Sequence, residues 1–205
     1  MTIPMIENQR LDVKKVLDEF PEDILKVKET FGDTHLCVKK ESLPEIMRFL
    51  KEHPELQYTY FSECLGVDYS QWQHERDFTE RFEVIYNLKS LKNSSRLFIK
   101  IGVDDGQKVP SLCQIFIGAD YPEREIWDLY GIVFEGNEQV QRFMMPDDWA
   151  GHPLRKEYPL GGEDVEFDQK TKGPAIEDLE KPHAGESFSG RTGTKEIVDS
   201  STSFL

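Results

Sequence analysis

Arg81-Phe-Glu-Val-Ile-Tyr-Asn-Leu88 and Arg96-Leu-Phe-Ile-Lys-Ile-Gly-Val103, joined across Lys92-Asn-Ser-Ser95, decide the fold of this chain. In each run apolar residues recur at every second position, the period of a strand with one covered face, and the polar turn between them predicts an antiparallel hairpin. A covered face needs helices to cover it, and the flanking sequence supplies them. Residues 9–31 read as helical, with Leu11, Val13, Val16, Leu17 and Phe20 on one side, a break at Pro21, then Ile24, Leu25, Val27 and Phe31. Thr34-His-Leu-Cys-Val-Lys39 reads as a short strand. Ser42 to His53 reads as a helix opened by a capping box of Ser42 and Glu45 and stopped before Pro54. Gln57-Tyr-Thr-Tyr-Phe-Ser62 is a strand by composition. Residues 110–116 predict one or two helical turns. Asp120, three before Glu123, reads as the cap of a helix ending near Gly131, and Ile132-Val-Phe134 as a brief strand.

Bulk composition narrows the function. The 205 residues carry a formal net charge of −14, which opposes both nucleic acid and an anionic lipid surface. No run approaches the roughly 18 apolar residues of a membrane span, and the N-terminus carries no secretory signal pattern. Cys37, Cys64 and Cys113 are odd in number and widely spaced, so a disulfide framework is not expected and a reducing compartment fits.

Residues 161–205 have a different texture, with Gly and Pro throughout and few apolar residues. Ordering such a segment costs roughly 1–2 kcal/mol per residue. Phe167, Phe188 and Phe204, each worth about 1.5–3 kcal/mol if buried, cannot offset that within the chain. The expected division is therefore a domain over 1–160 and an extended tail over 161–205, either disordered or ordered by lying on another protein.

The familiar chemical motifs are missing. Five scattered histidines include no His-Glu-x-x-His pairing, and no cysteines have Cys-x-x-Cys spacing. Neither a dinucleotide fingerprint, a phosphate loop nor a Gly-x-Ser-x-Gly elbow occurs. Cys64 reads as a buried thiol at a strand end rather than a nucleophile. What stands out instead are two dense segments, Tyr121-Pro-Glu-Arg-Glu-Ile-Trp-Asp-Leu-Tyr-Gly-Ile-Val-Phe-Glu-Gly136 and Met145-Pro-Asp-Asp-Trp-Ala-Gly-His-Pro-Leu-Arg-Lys-Glu-Tyr-Pro-Leu160.

Helical spacing places Arg124 one turn from Asp128. This is either an ordinary surface ion pair worth a few tenths of a kcal/mol or part of a buried polar network at a subunit junction. A catalytic pair of Glu123 and Glu125 is disfavoured, because the two point to different helix faces. Residues 145–149 read as a turn entering a short helix, and 154–160 as extended. Arg155 and Lys156 form a local basic pair, either solvated or anchored on an acidic partner surface. His152, before Pro153, reads as a hydrogen-bonding turn residue. Candidate interface residues are thus Glu123, Arg124, Glu125, Asp128, His152, Arg155 and Lys156.

The same residues carry a resemblance. Pro110-Ser-Leu112 and Ala119 to Gly136, Met144 to Leu160, Leu65-Gly-Val-Asp-Tyr69 and residues 81–88 together resemble the 30 kDa subunit, lettered C, of NADH–quinone oxidoreductase, respiratory complex I. The resemblance spans about residues 34–160. It implies a two-layer α+β domain with a mixed β-sheet packed by helices, consistent with the helices and hairpin read above, and a C-terminal extension running over neighbouring subunits. It further implies no catalytic, cofactor-binding or metal site in this chain, with FMN, iron–sulfur clusters and quinone held by partner subunits. The implied place is the peripheral arm, beside the iron–sulfur subunits and the subunit lettered D, which helps form the quinone site. That arm lies on the cytoplasmic face of the inner membrane, and this chain reaches the membrane only through the complex. An equivalent subunit of a ferredoxin-linked or other-donor dehydrogenase, or of a membrane hydrogenase, stays open. So does a free-standing acidic adaptor. Two positions depart from the family pattern: Asn137 stands where it usually has His, and Gln141 where it usually has a basic residue, with Arg142 retained.

Overall fold

The computed structural model describes residues 10–138 and 141–159. The expectation for a tail over 161–205 lies outside the described residues. The element order is α1 (Leu11–Glu19), β1 (Ile24–Thr30), β2 (Asp33–Val38), α2 (Leu43–Glu52), β3 (Tyr60–Asp68), β4 (Phe82–Ser90), β5 (Ser95–Val103), β6 (Lys108–Pro110), a 3-10 turn (Ile117–Ala119), α3 (Asp120–Tyr130) and β7 (Val133–Glu135).

Five strands form one sheet in the order β1-β2-β5-β4-β3, with β6 and β7 paired separately. The predicted hairpin is β4–β5, in register from Phe82 opposite Val103 to Ser90 opposite Ser95. Within this sheet only β2 and β5 run parallel, Thr34 to Cys37 alongside Leu97 to Lys100, so the sheet is mixed. Leu97, Ile99, Ile101 and Val103 of β5 alternate with Arg96, Phe98 and Lys100. The first set joins Phe82, Val84, Tyr86 and Leu88 in the core. Val13 and Val16 of α1, Leu43, Ile46, Met47 and Leu50 of α2, and Ile126 of α3 fill the same core, giving an α+β domain in two layers. Each such side chain contributes about 1.5–3 kcal/mol by leaving water.

The first helix is shorter than its sequence suggests, because residues 24–30 form β1 instead. A bulge between Ile24 and Lys26 shifts the register by one residue, so Ile24 and Val27 both turn inward. That i, i+3 spacing imitates a helix. Phe31 and Gly32, at φ 52° and 85°, then make the two-residue turn into β2.

Other boundaries move for local reasons. Ser42 precedes α2 but makes no side-chain cap. Its backbone is already helical (φ −88°, ψ −2°), which turns the hydroxyl away from the first free N–H groups. The predicted strand at 57–62 begins later and runs on to Asp68. Residues 110–116 hold the end of β6 and a single turn closed by Phe116 N–H on Leu112 C=O (2.7 Å). Asp120 does not cap α3; Ala119 occupies that position. Residues 145–149 form a turn closed by Trp149 N–H on Pro146 C=O (3.1 Å) rather than a helix. Residues 154–158 are turns rather than extended chain. Among the described residues no helix is long and apolar enough to cross a membrane.

Candidate functional site

Both dense segments converge on α3. Its first turn directs Glu123 fully inward. The carboxylate accepts from Ser111 Oγ (2.6 Å), Leu112 N–H (2.7 Å), Cys113 Sγ (3.3 Å) and Asn137 Nδ2 (3.2 Å). One buried side chain therefore pins the turn after β6 and the turn after β7 to the same helix. Four donors give its two oxygens the partners that burial takes away from water. Burial, with this carboxylate nearby, pushes the Cys113 thiol up to about 11.

Asp128 repeats the device further along the helix. It is fully buried and accepts from Arg142 (2.6 Å) and from the backbone N–H groups of Phe143, Met144 and Met145 (3.2, 3.0 and 3.0 Å). Burial acts to raise its pKa, but these hydrogen bonds outweigh it and hold the carboxyl below the usual range. Asp128 thus pairs with Arg142, not with Arg124 as helical spacing suggested. Arg124 lies instead against the rings of both Tyr121 and Phe143 (5.4 and 5.3 Å to the centroids) and donates to Gln141 C=O (3.3 Å). Glu125 is exposed on another face from Glu123.

The end of α3 is closed from downstream. Gly131 takes the left-handed conformation (φ 78°) that stops the helix, and no basic residue sits in its last turn. The terminal carbonyls find donors in the second segment. His152 Nδ1 meets Asp128 C=O (2.9 Å), Leu154 N–H donates to Leu129 C=O (3.0 Å), and Arg155 Nε donates to Tyr130 C=O (2.6 Å). Gly-His-Pro-Leu-Arg, residues 151–155, is in effect a cap supplied at a distance, and Arg155 brings positive charge to the negative end of the helix dipole.

A polar seam then fastens this cap to the sheet. Arg155 makes a two-pronged bond to Asp105 (3.0 and 2.9 Å), and its guanidinium lies over the Phe82 ring, as does that of Arg81. Arg81 pairs with Asp68 (2.8 Å) and with Glu157. Asp68 also accepts from Lys156 N–H (3.0 Å), while the Lys156 side chain stays exposed. Burial raises the Asp68 pKa, and Arg81, Lys156 N–H and Ser70 N–H together drive it far below the usual carboxylate range. A depressed folded pKa adds stability above the unfolded value near about 3.9, and that stability is lost as pH falls through the folded value. Urea unfolding midpoints of the purified chain are therefore expected to drop below about pH 4, with Asp68→Asn lowering the neutral plateau and flattening the acid limb. An unchanged acid limb in the variant would count against this seam.

The thiols are spent on packing. Cys64 lies in the middle of β3, not at its end, and burial pushes its pKa well up; the same cause takes Cys37 to about 12. Among the described residues no group of three or more His, Cys, Asp or Glu could hold a metal ion.

Residues 36–164 match the family described as respiratory-chain NADH dehydrogenase, 30 Kd subunit. The chain belongs to this family. It is 43% identical over 148 residues to the NADH-quinone oxidoreductase subunit lettered C of Roseiflexus sp. (strain RS-1), covering 72% of this chain and 82% of that one. Against the subunit of the same name in Geotalea uraniireducens (strain Rf4) it is 42% identical over 163 residues, covering 79% and 94%. Among solved structures it resembles the trypsin-resistant fragment (1–134) of Nqo5, with a TM-score of 0.53, 26% identity, and coverage of 62% of this chain and 98% of that one. The family is that of one subunit of NADH-quinone oxidoreductase, and this chain is such a subunit.

Within the family signature, the structure brings Glu123, Asp128, His152 and Arg155 together as parts of one scaffold around α3. Glu125 and the Lys156 side chain stay outside it. Reading by sequence missed the roles of Arg142, Asp68, Arg81 and Asp105, although the retained basic position at Arg142 was a signal. Asn137, at a departure from the family pattern, donates to Glu123, a bond that an imidazole N–H could also make.

Proposed function

We propose that this subunit is a cofactor-free brace in the peripheral arm of the complex. In this reading it docks beside the quinone-site subunit lettered D and the neighbouring iron–sulfur subunits, on the cytoplasmic face of the membrane. FMN, clusters and quinone belong to those partners. The observation that carries this reading is the occupancy of Glu123 and Asp128. Each buried carboxylate of the signature helix is bonded to several of the chain's own donors, which fits holding shape and leaves neither placed for proton transfer to a substrate. Electron transfer between fixed centres and quinone chemistry in a dry site both need a rigid wall, and a braced helix supplies one.

The test is Arg124→Ala in cells that assemble the complex. The expected result is a severalfold loss of assembled complex, read by native size analysis of solubilised membranes, with NADH-to-quinone turnover per assembled complex little changed. Normal assembly with turnover abolished would assign chemistry to Arg124 and remove the brace reading.

A further inference from the structure

Two exposed rings, Tyr121 and Phe143, meet in the open beside Arg124, and the exposed apolar side chains Ile117 and Met144 stand close to them in the chain. Ile117 is 91% exposed, Tyr121 63%, Met144 53% and Phe143 40%. Ile117 and Tyr121 lie four residues apart across the 3-10 turn and the start of α3, a spacing that makes them neighbours on one side. The Tyr121 and Phe143 rings pack edge to face at 5.9 Å, and Met144 follows Phe143. Scattered exposed apolar residues are ordinary, but a cluster built from separate segments and held in shape by a buried ion pair marks a contact surface.

The charges nearby identify what fits it. Glu125, Glu138, Asp147 and Asp148 are exposed, and none forms an ion pair among the described residues. The two arginines beside the patch are engaged within the chain: Arg142 with Asp128, and Arg124 with two rings and Gln141. An apolar centre whose own stretches of chain carry exposed carboxylates suits a protein surface that presents apolar side chains flanked by Lys or Arg. A second copy of this chain, at net charge −14, would set acid against acid. An anionic lipid surface would do the same.

We infer that the Ile117–Tyr121–Phe143–Met144 patch is the docking face of this subunit, and that its occupant is a partner subunit's apolar cluster bordered by basic residues. This deepens the brace reading and rests on it. The patch supplies burial, and the acidic border sets orientation and excludes wrong partners.

The test uses the intact complex in membranes. Ile117→Asp/Met144→Asp is expected to lower assembled complex about tenfold, and Asp147→Lys/Asp148→Lys severalfold. Both purified variants should keep the parental melting temperature, because none of these side chains is buried. A photo-crosslinking residue in place of Tyr121 is expected to capture, within the assembled complex, a partner peptide containing Lys or Arg. Full assembly of both variants overturns the proposal. So does capture of a second copy of this chain, of its own residues 160–205, or of lipid. If the parental chain is absent from the high-mass membrane fraction, it is the brace reading that fails.

Discussion

Asp128→Ala is expected to cost about 3–5 kcal/mol of folding stability, because it strands the Arg142 guanidinium in a partly buried place with its partner gone. Against a typical total of about 5–15 kcal/mol this is a large share. Three backbone N–H groups, those of Phe143, Met144 and Met145, lose their acceptor at the same stroke. The purified chain should melt on the order of 10 °C lower. Adding Arg142→Ala should cost less than the sum of the two single changes, since it deletes the stranded cation. Strict additivity in that cycle would show that the pair is not coupled and that Asp128 and Arg142 do not act as one clasp around α3.

Gly131→Ala carries the second large effect. At φ 78° an added Cβ costs about 1–2 kcal/mol whatever surrounds it. Here the Cβ would also stand 2.6 Å from the His152 ring and 2.9 Å from an Arg155 nitrogen, so the capping residues must move. Overpacking of that kind adds about 1–3 kcal/mol. Gly106 is the control, with φ 79° and nothing within 4 Å of an added Cβ. Chemical unfolding should therefore rank Gly131→Ala well below Gly106→Ala. Equal losses at the two sites would mean that His152 and Arg155 yield freely and do not hold the helix end.

These two residues also show where sequence reading succeeds and where it stops. Gly131 as the end of α3 is legible, because a left-handed stop is written in a single residue. The β4–β5 hairpin is legible because alternation records which face is covered. β1 is not, since its bulge converts a period of two into a spacing that a helix would also produce. The segment after Arg142 has no period at all. Its turns exist because α3 offers bare carbonyls and a buried carboxylate, and those are properties of a surface that forms only after folding. The pairing of Asp128 follows from the same cause. Helical spacing offered Arg124 nearby, whereas the folded chain delivers Arg142 together with three N–H groups from one turn. Asp68, Arg81, Asp105 and Arg155 come from four separate places in the chain, and no offset between them announces their meeting. Charged residues were visible in the sequence, but their partners were not.

The parallel seam between β2 and β5 has a consequence for how the chain is made. On the ribosome, β1 and β2 can zip together early, and β4 and β5 can do so later, each across a short turn. Thr34 to Cys37 must wait for Leu97 to Lys100 before that side of β2 is covered. Until Val103 has left the exit tunnel, the nascent chain carries a bare strand border and half a core, so the interval before closure is when it is most open to wrong association and most in need of chaperone shelter.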